Sequence, residues 1–80
     1  MAPKQGDLLI RTAPSRDETS YFLLLDALSG RLIVGPIPSF EEVLRTAKAM
    51  TTNGEQIWQQ FADDRGRPTG PMMRLDQQLP

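Results

Sequence analysis

Residues 29–50 read SGRLIVGPIPSFEEVLRTAKAM and contain the clearest structural signals of the chain. The opening Ser-Gly pair is a turn signal, and the apolar run that follows at 31–34 predicts a β-strand. Pro36 and Pro38 donate no backbone hydrogen bond, so we expect strand pairing to stop at these positions. A turn, a strand and the start of a helix are thus predicted within a single stretch.

The second half of this stretch predicts a helix over residues 40–51. Ser39 is the expected N-cap, and Glu42 stands three positions later, which is the spacing of a capping box. Apolar side chains recur at helical spacing and form one stripe, at Phe40, Val43, Leu44, Ala47 and Met50. The pair Asn53-Gly54 is then expected to end the helix in a left-handed conformation.

Upstream of the turn, residues 21–27 read YFLLLDA, a nearly continuous apolar run. Leucine favours helices, so a helix is the competing interpretation. We favour a strand because the run is short and leads into Gly30, which supplies the positive φ of a short hairpin loop. The run should therefore pair antiparallel with residues 31–35. Its continuity indicates that both faces of the sheet carry apolar side chains.

The rest of the chain carries weaker signals. Before the apolar run we expect a loose tail at 1–6, a weak strand at 7–12 and a polar loop at 13–20. After the helix we expect a strand at 55–62, a turn at 63–66, a last short strand at 72–75 and a second loose tail at 76–80.

These elements predict one small α+β domain over residues 1–80. Its mostly antiparallel sheet, in the order β-β-β-α-β-β, should pack on one amphipathic helix. A single helix covers only one face of a sheet. We therefore expect the other face, or an edge strand, to contact a protein partner or a second copy of the chain.

Composition narrows the chemistry available. The chain of 80 residues contains no cysteine and no histidine, and its formal net charge is −1. Disulfides and thiolate metal sites are excluded, and the commonest general base is missing. We therefore expect no cofactor, no metal and no enzymatic activity. The amino terminus lacks the apolar region of a signal peptide and no run is long enough to span a bilayer, so we expect a cytoplasmic protein without membrane contact.

Four residues are candidates for a protein interface because they lie on the two best apolar strands: Tyr21, Leu23, Leu25 and Trp58. Aromatic residues are enriched at interface hot spots. Trp58 is opposite in phase to Ile57 and Phe61, so these three side chains cannot all face the helix. Burial of Trp58 under a loop is the alternative interpretation.

Three arginines form a second candidate surface, for nucleic acid: Arg65, Arg67 and Arg74. Arginines on a hairpin can contact a phosphate backbone. The neighbouring Asp63 and Asp64 cancel much of their field, which makes a solvated surface the leading interpretation.

Other polar groups suit turns better than chemistry. Asp63 and Asp64 precede Arg-Gly as hairpin turns require, and they lack the ligand spacing of a calcium loop. Asp26 and Glu55 are isolated in sequence. Residues 66–70 contain two glycines and a threonine but lack the ending of a phosphate-binding loop.

The sequence therefore predicts a small non-enzymatic interaction module that self-associates or binds a protein. The alternative is a weak nucleic-acid-binding module that uses the arginines of residues 63–74. The order of its elements is similar to the layout of many short bacterial proteins, and this likeness implies nothing about activity.

Overall fold

A computed structural model describes residues 2–14 and 20–75 of the chain. In chain order, the elements are β1 (Leu8–Pro14), β2 (Ser20–Asp26), β3 (Leu32–Ile37), α1 (Phe40–Met50), β4 (Ile57–Phe61) and β5 (Met73–Arg74). The predicted order β-β-β-α-β-β and the α+β class are confirmed. The predicted tail at 76–80 and most of the predicted loop at 13–20 lie outside the described residues.

The five strands form one mixed sheet in the order β3-β2-β1-β4-β5. Strands β1, β2 and β3 pair antiparallel in sequence order, as do β4 and β5. The central pair, β1 and β4, is parallel. Such a pair needs a long crossover, and the chain supplies it through β2, β3 and α1. The sheet is therefore mostly antiparallel, as predicted, with one parallel pair at its centre.

The β2–β3 hairpin forms as the sequence indicates. Gly30 has a φ of 77°, and its N–H donates to the carbonyl of Asp26. The prediction that pairing stops at Pro36 was wrong, because β3 continues to Ile37, which pairs with Phe22. Strand β3 lies at the edge of the sheet, and an edge strand tolerates proline since its outer hydrogen bonds have no partner strand.

Strand β1 also runs further than the sequence indicated. We expected a polar loop from residue 13, but Ala13 and Pro14 pair with Tyr21 and Ser20 in the ladder. Pro14 is tolerated because it is the last residue of the strand, where the loss of one ladder hydrogen bond costs little free energy.

Helix α1 begins where the capping signal placed it. Ser39 has extended backbone angles, and its Oγ accepts a hydrogen bond from the N–H of Glu42 at 3.3 Å. The helix ends at Met50, one residue before the predicted end at residue 51, and Thr51 is its C-cap. The Thr51 hydroxyl donates to the carbonyl of Ala47 at 2.9 Å and so satisfies an acceptor of the last turn.

Two apolar clusters lie on opposite faces of the sheet. The helix face holds the larger cluster, whose buried members are Leu8, Ile10, Leu24, Val43, Ala47 and Leu75. The other face, here called the helix-free face, holds Leu9, Leu25, Ala27 and Trp58, with Leu23 and Met72 packed against them. Both faces of the central strands are thus apolar, which explains the continuous run at 21–25.

Candidate functional site

Asp7 is a buried carboxylate that accepts three hydrogen bonds. Its carboxylate accepts hydrogen bonds from the N–H groups of Lys4 and Gln56, each at 2.9 Å, and from Nε1 of Trp58 at 3.0 Å. The residue is 4% exposed. It ties the amino-terminal segment, the start of β4 and the indole together. Sequence reasoning missed this role because an aspartate before an apolar run carries no distinctive signal.

Hydrogen bonding decides the charge state of Asp7. Burial alone would raise the pKa of the carboxyl group. The hydrogen bonds from Lys4, Gln56 and Trp58, together with the charge of Lys4, outweigh burial and hold its pKa below the usual value. A carboxylate whose oxygens already accept three hydrogen bonds has little capacity left for substrate, so its role is structural.

A shallow cleft of about 310 Å³ opens beside Asp7. Charged side chains of both signs line it, among them Lys4, Glu55 and Arg74. Nη2 of Arg74 donates to Oε1 of Gln56 at 2.9 Å. The mixed charges of this cleft select no class of ligand.

The other acidic residues weighed for chemistry hold turns. Asp26 accepts hydrogen bonds from the hydroxyl and the N–H of Ser29, and the pKa of Asp26 is lowered, chiefly by the hydroxyl. Asp63 accepts from the N–H groups of Arg65 and Arg67, and its pKa is lowered, first by Arg67. Glu55 accepts from the N–H of Asn53. All three carboxylates therefore have local structural partners.

The structure divides the four candidate interface residues into two pairs. Leu25 and Trp58 are each 4% exposed and belong to the apolar cluster of the helix-free face. Trp58 thus takes the buried position that the sequence left open. Tyr21 and Leu23 remain partly exposed on β2. Of the four, these two have surface available to a partner.

The exposed large hydrophobic side chains of the described residues are concentrated at the β2–β3 hairpin, next to Tyr21 and Leu23. Seven large hydrophobic side chains are exposed in the described chain, and four of them fall between residues 28 and 34. They are Leu28, Leu32, Ile33 and Val34, here called the hairpin patch. Leu32 pairs with Leu25 of the helix-free face, and Val34 pairs with Leu24 of the helix face. Because cross-strand partners share a face, the patch wraps around the β3 edge.

The β3 edge itself is irregular. Its pairing with β2 shifts register twice, between Phe22 and Leu24 and again between Leu24 and Leu25. The second shift leaves Ile33 as an extra residue in β3. Bulges and proline on an edge strand oppose the addition of another strand. The hairpin patch therefore offers side chains for contact more readily than it offers a backbone ladder.

The three candidate arginines do not form one cluster. Arg65 and Arg67 lie in the turn that follows β4, whereas Arg74 pairs with Trp58 near the start of β4. Strand β4 separates the two positions by roughly 13 Å, because a strand rises about 3.3 Å per residue. Only Arg65 and Arg67 share a turn, and both are exposed.

A second site that sequence reasoning missed lies on the helix-free face at Arg11. Its Nη2 donates to Oε1 of Gln60 at 3.2 Å, and its Nε is buried without a hydrogen-bond partner. Arg11 and Gln60 face each other across the parallel β1–β4 pair. Since that pairing joins residues 49 positions apart, no sequence signal could have revealed it.

Within residues 2–14 and 20–75, no group of three or more acidic residues is arranged to hold a metal ion. No helix in this described part of the chain is long and apolar enough to cross a membrane. Comparison with protein-family models, with curated proteins and with solved structures finds no match to the chain.

Proposed function

We propose that the protein is a non-enzymatic interaction module that self-associates through the hairpin patch. The observation that carries the proposal is the concentration of exposed aliphatic side chains on one hairpin, where Leu28 is 60% and Leu32 is 51% exposed. Contiguous exposed apolar surface of this kind is typical of interaction sites.

A second copy of the chain is the partner that best fits the chemistry of the patch. A two-fold dimer brings the same surface of both copies together, so the surface must complement itself. Strand β3 contains no charged residue, so its aliphatic side chains meet those of a second copy without like-charge repulsion. The exposed Arg31 lies just outside the strand, beside the turn. A charged patch would not have this property.

The irregular edge indicates how the copies meet. Because Pro36 and the two register shifts oppose strand addition, we propose contact through side chains of the patch, extended by the partly exposed Tyr21 and Leu23. We also place this module in the cytoplasm, because a chain without cysteine suits a reducing compartment.

Sedimentation equilibrium tests the proposal. The unmodified chain should show a reversible monomer–dimer equilibrium, and Leu32→Glu should shift it to monomer, because a dimer would bury two unpaired carboxylates. Leu28→Glu should act in the same direction. Leu28 lies in the turn outside the strand ladder, so we expect Leu28→Glu to keep the fold intact. This variant therefore still tests the proposal if Leu32→Glu fails to fold.

Phe61→Glu is the matched control. The exposed fraction of Phe61, 53%, is similar to that of Leu32, 51%. Phe61 lies on β4 and not on the hairpin. This variant should dimerise like the unmodified chain. A chain that stays monomeric up to about 1 mM, or equal loss of dimer in the Phe61 variant, would refute the proposal.

A further inference from the structure

Arg11 occupies an unusual position for a charged side chain. It stands on the central strand β1, on the helix-free face, between Leu9 and Ala13, and both of these neighbours are fully buried. Its cross-strand partners are Leu23 on β2 and Gln60 on β4. The guanidinium group therefore rises from an apolar surface at the centre of the sheet.

The hydrogen bonding of this guanidinium is incomplete. Its one hydrogen bond within the described residues runs from Nη2 to Oε1 of Gln60, and the buried Nε has no acceptor. The same part of the chain provides no carboxylate in ion-pair contact with Arg11. A buried cationic donor without a partner is unfavourable, so an acceptor at Nε would stabilise it.

Gln60 holds the guanidinium in position. Nε2 of Gln60 donates to the carbonyl of Gly70 at 2.9 Å, which leaves Oε1 directed at Arg11. Gln60 is 8% exposed, so this arrangement lies inside the fold. The amide orders Arg11 but supplies no negative charge. Carboxylates and phosphates both match a guanidinium in charge and geometry. The apolar residues around Arg11 favour a carboxylate carried by a polypeptide, because they can also pack against its apolar side chains.

We propose that Arg11 binds a carboxylate side chain of a protein partner that docks on the helix-free face. A sheet face is too flat to enclose a small molecule, whereas a polypeptide can lie across it. Leu23 beside Arg11 is partly exposed and provides apolar contact. An arginine within an apolar surface is a common interface hot spot.

Leu23 lies opposite Arg11 on β2 and is partly exposed. Because Nε is buried, the proposed contact requires side chains beside Arg11 to move when the carboxylate binds. The inference rests on Arg11 and not on the hairpin patch, although Leu23 contributes to both proposed surfaces.

The Nε–H resonance of Arg11 in the NMR spectrum reports directly on the atom concerned. We expect it to move saturably when the capped peptide acetyl-Leu-Asp-Leu-amide is added to the full chain. The matched peptide with Asn in place of Asp should bind about tenfold more weakly or less, because it lacks the charge. Arg45 is exposed on α1, and its Nε–H is an internal control that should not saturate.

Arg11→Lys provides the protein control. Lysine keeps the charge but lacks the planar fork, so affinity for the Asp peptide, followed through the backbone amide of Leu23, should fall about tenfold. Equal shifts with the Asp and Asn peptides, or equal shifts at Arg11 and Arg45, would overturn the proposal. The proposal would also be overturned if neither peptide shifts the Arg11 Nε–H resonance but Asp17→Asn or Glu18→Gln does. In that case the chain itself would supply the carboxylate.

Discussion

Asp7 shows how one side chain can determine local structure at several places. Its carboxylate satisfies two backbone donors and the indole of Trp58, and the partners lie up to 51 positions away in sequence. The indole N–H would otherwise be a buried donor without a partner. Asp7 therefore allows an amphipathic aromatic ring to be buried on the helix-free face, where it packs against Leu9 and Leu25.

Asp7→Asn should destabilise the fold by about 1–3 kcal/mol, because the amide replaces one acceptor oxygen with a donor and leaves at least one N–H unsatisfied. Urea denaturation at pH 7 measures this change. Asp64→Asn, in an exposed turn, is the control and should change the free energy of unfolding by less than about 0.5 kcal/mol.

The same variant should change the pH dependence of stability. The pKa of Asp7 is lowered in the folded chain, so its contribution is fully present above the unfolded pKa of about 4 and is lost as pH falls through the folded pKa. Asp7→Asn should therefore lose less stability than the unmodified chain on acidification below about pH 4. Identical acid denaturation profiles would contradict this role for Asp7.

At the level of elements, β3 is the strand whose geometry departs furthest from a regular ladder. Gly35 has a φ of 135°, and a Cβ atom at this position would lie 3.0 Å from the carbonyl oxygen of Phe22. Gly30, in the preceding turn, also has a positive φ but has no atom within 4 Å of its Cβ position. Glycine is therefore required at the two positions for different reasons. Gly35 allows a close approach of the β2 and β3 backbones, whereas Gly30 allows the turn conformation before β3.

Replacement of each glycine by alanine distinguishes these two requirements. Gly30→Ala should cost about 1 kcal/mol, since only the backbone conformation is strained. Gly35→Ala should lower the free energy of unfolding by clearly more than Gly30→Ala does. At Gly35 the added Cβ both strains the backbone conformation and clashes with backbone atoms of β2. Urea denaturation of both variants gives the order. Equal costs would show that β2 moves freely away from the edge strand.

At the scale of the whole molecule, one helix covers one face of a five-stranded sheet. On the helix-free face, Trp58 and Met72 pack near β4, while Tyr21 and Leu23 on β2 stay partly exposed. The hairpin patch continues from this surface around the β3 edge. The proposed dimer contact and the proposed carboxylate site at Arg11 thus lie on neighbouring parts of one surface.

Self-association has a thermodynamic consequence that does not depend on hydrodynamics. A protein that folds and dimerises gains stability with concentration, because the dimer binds folded chains only. The melting temperature of the unmodified chain should rise across a hundredfold increase in protein concentration. In Leu32→Glu it should stay constant. A constant melting temperature in both would argue against the proposed dimer.

The features that depend on neighbouring residues could be predicted from the amino-acid sequence. Ser39 and Glu42 placed the start of α1, Gly30 placed the hairpin turn, and the apolar run at 21–25 predicted a strand with apolar side chains on both faces. Caps, turns and periodicity act within a few positions, so they can be read directly. The α+β class and the element order followed from them.

Which strands become neighbours could not be predicted from the sequence and is known from the folded structure. The parallel β1–β4 pair joins Arg11 to Gln60 and places Asp7 beside Gln56 and Trp58. The edge position of β3 let pairing continue past Pro36 and left the hairpin patch exposed. These outcomes arise from contacts between residues far apart in the chain, and side-chain periodicity contains no information on strand order.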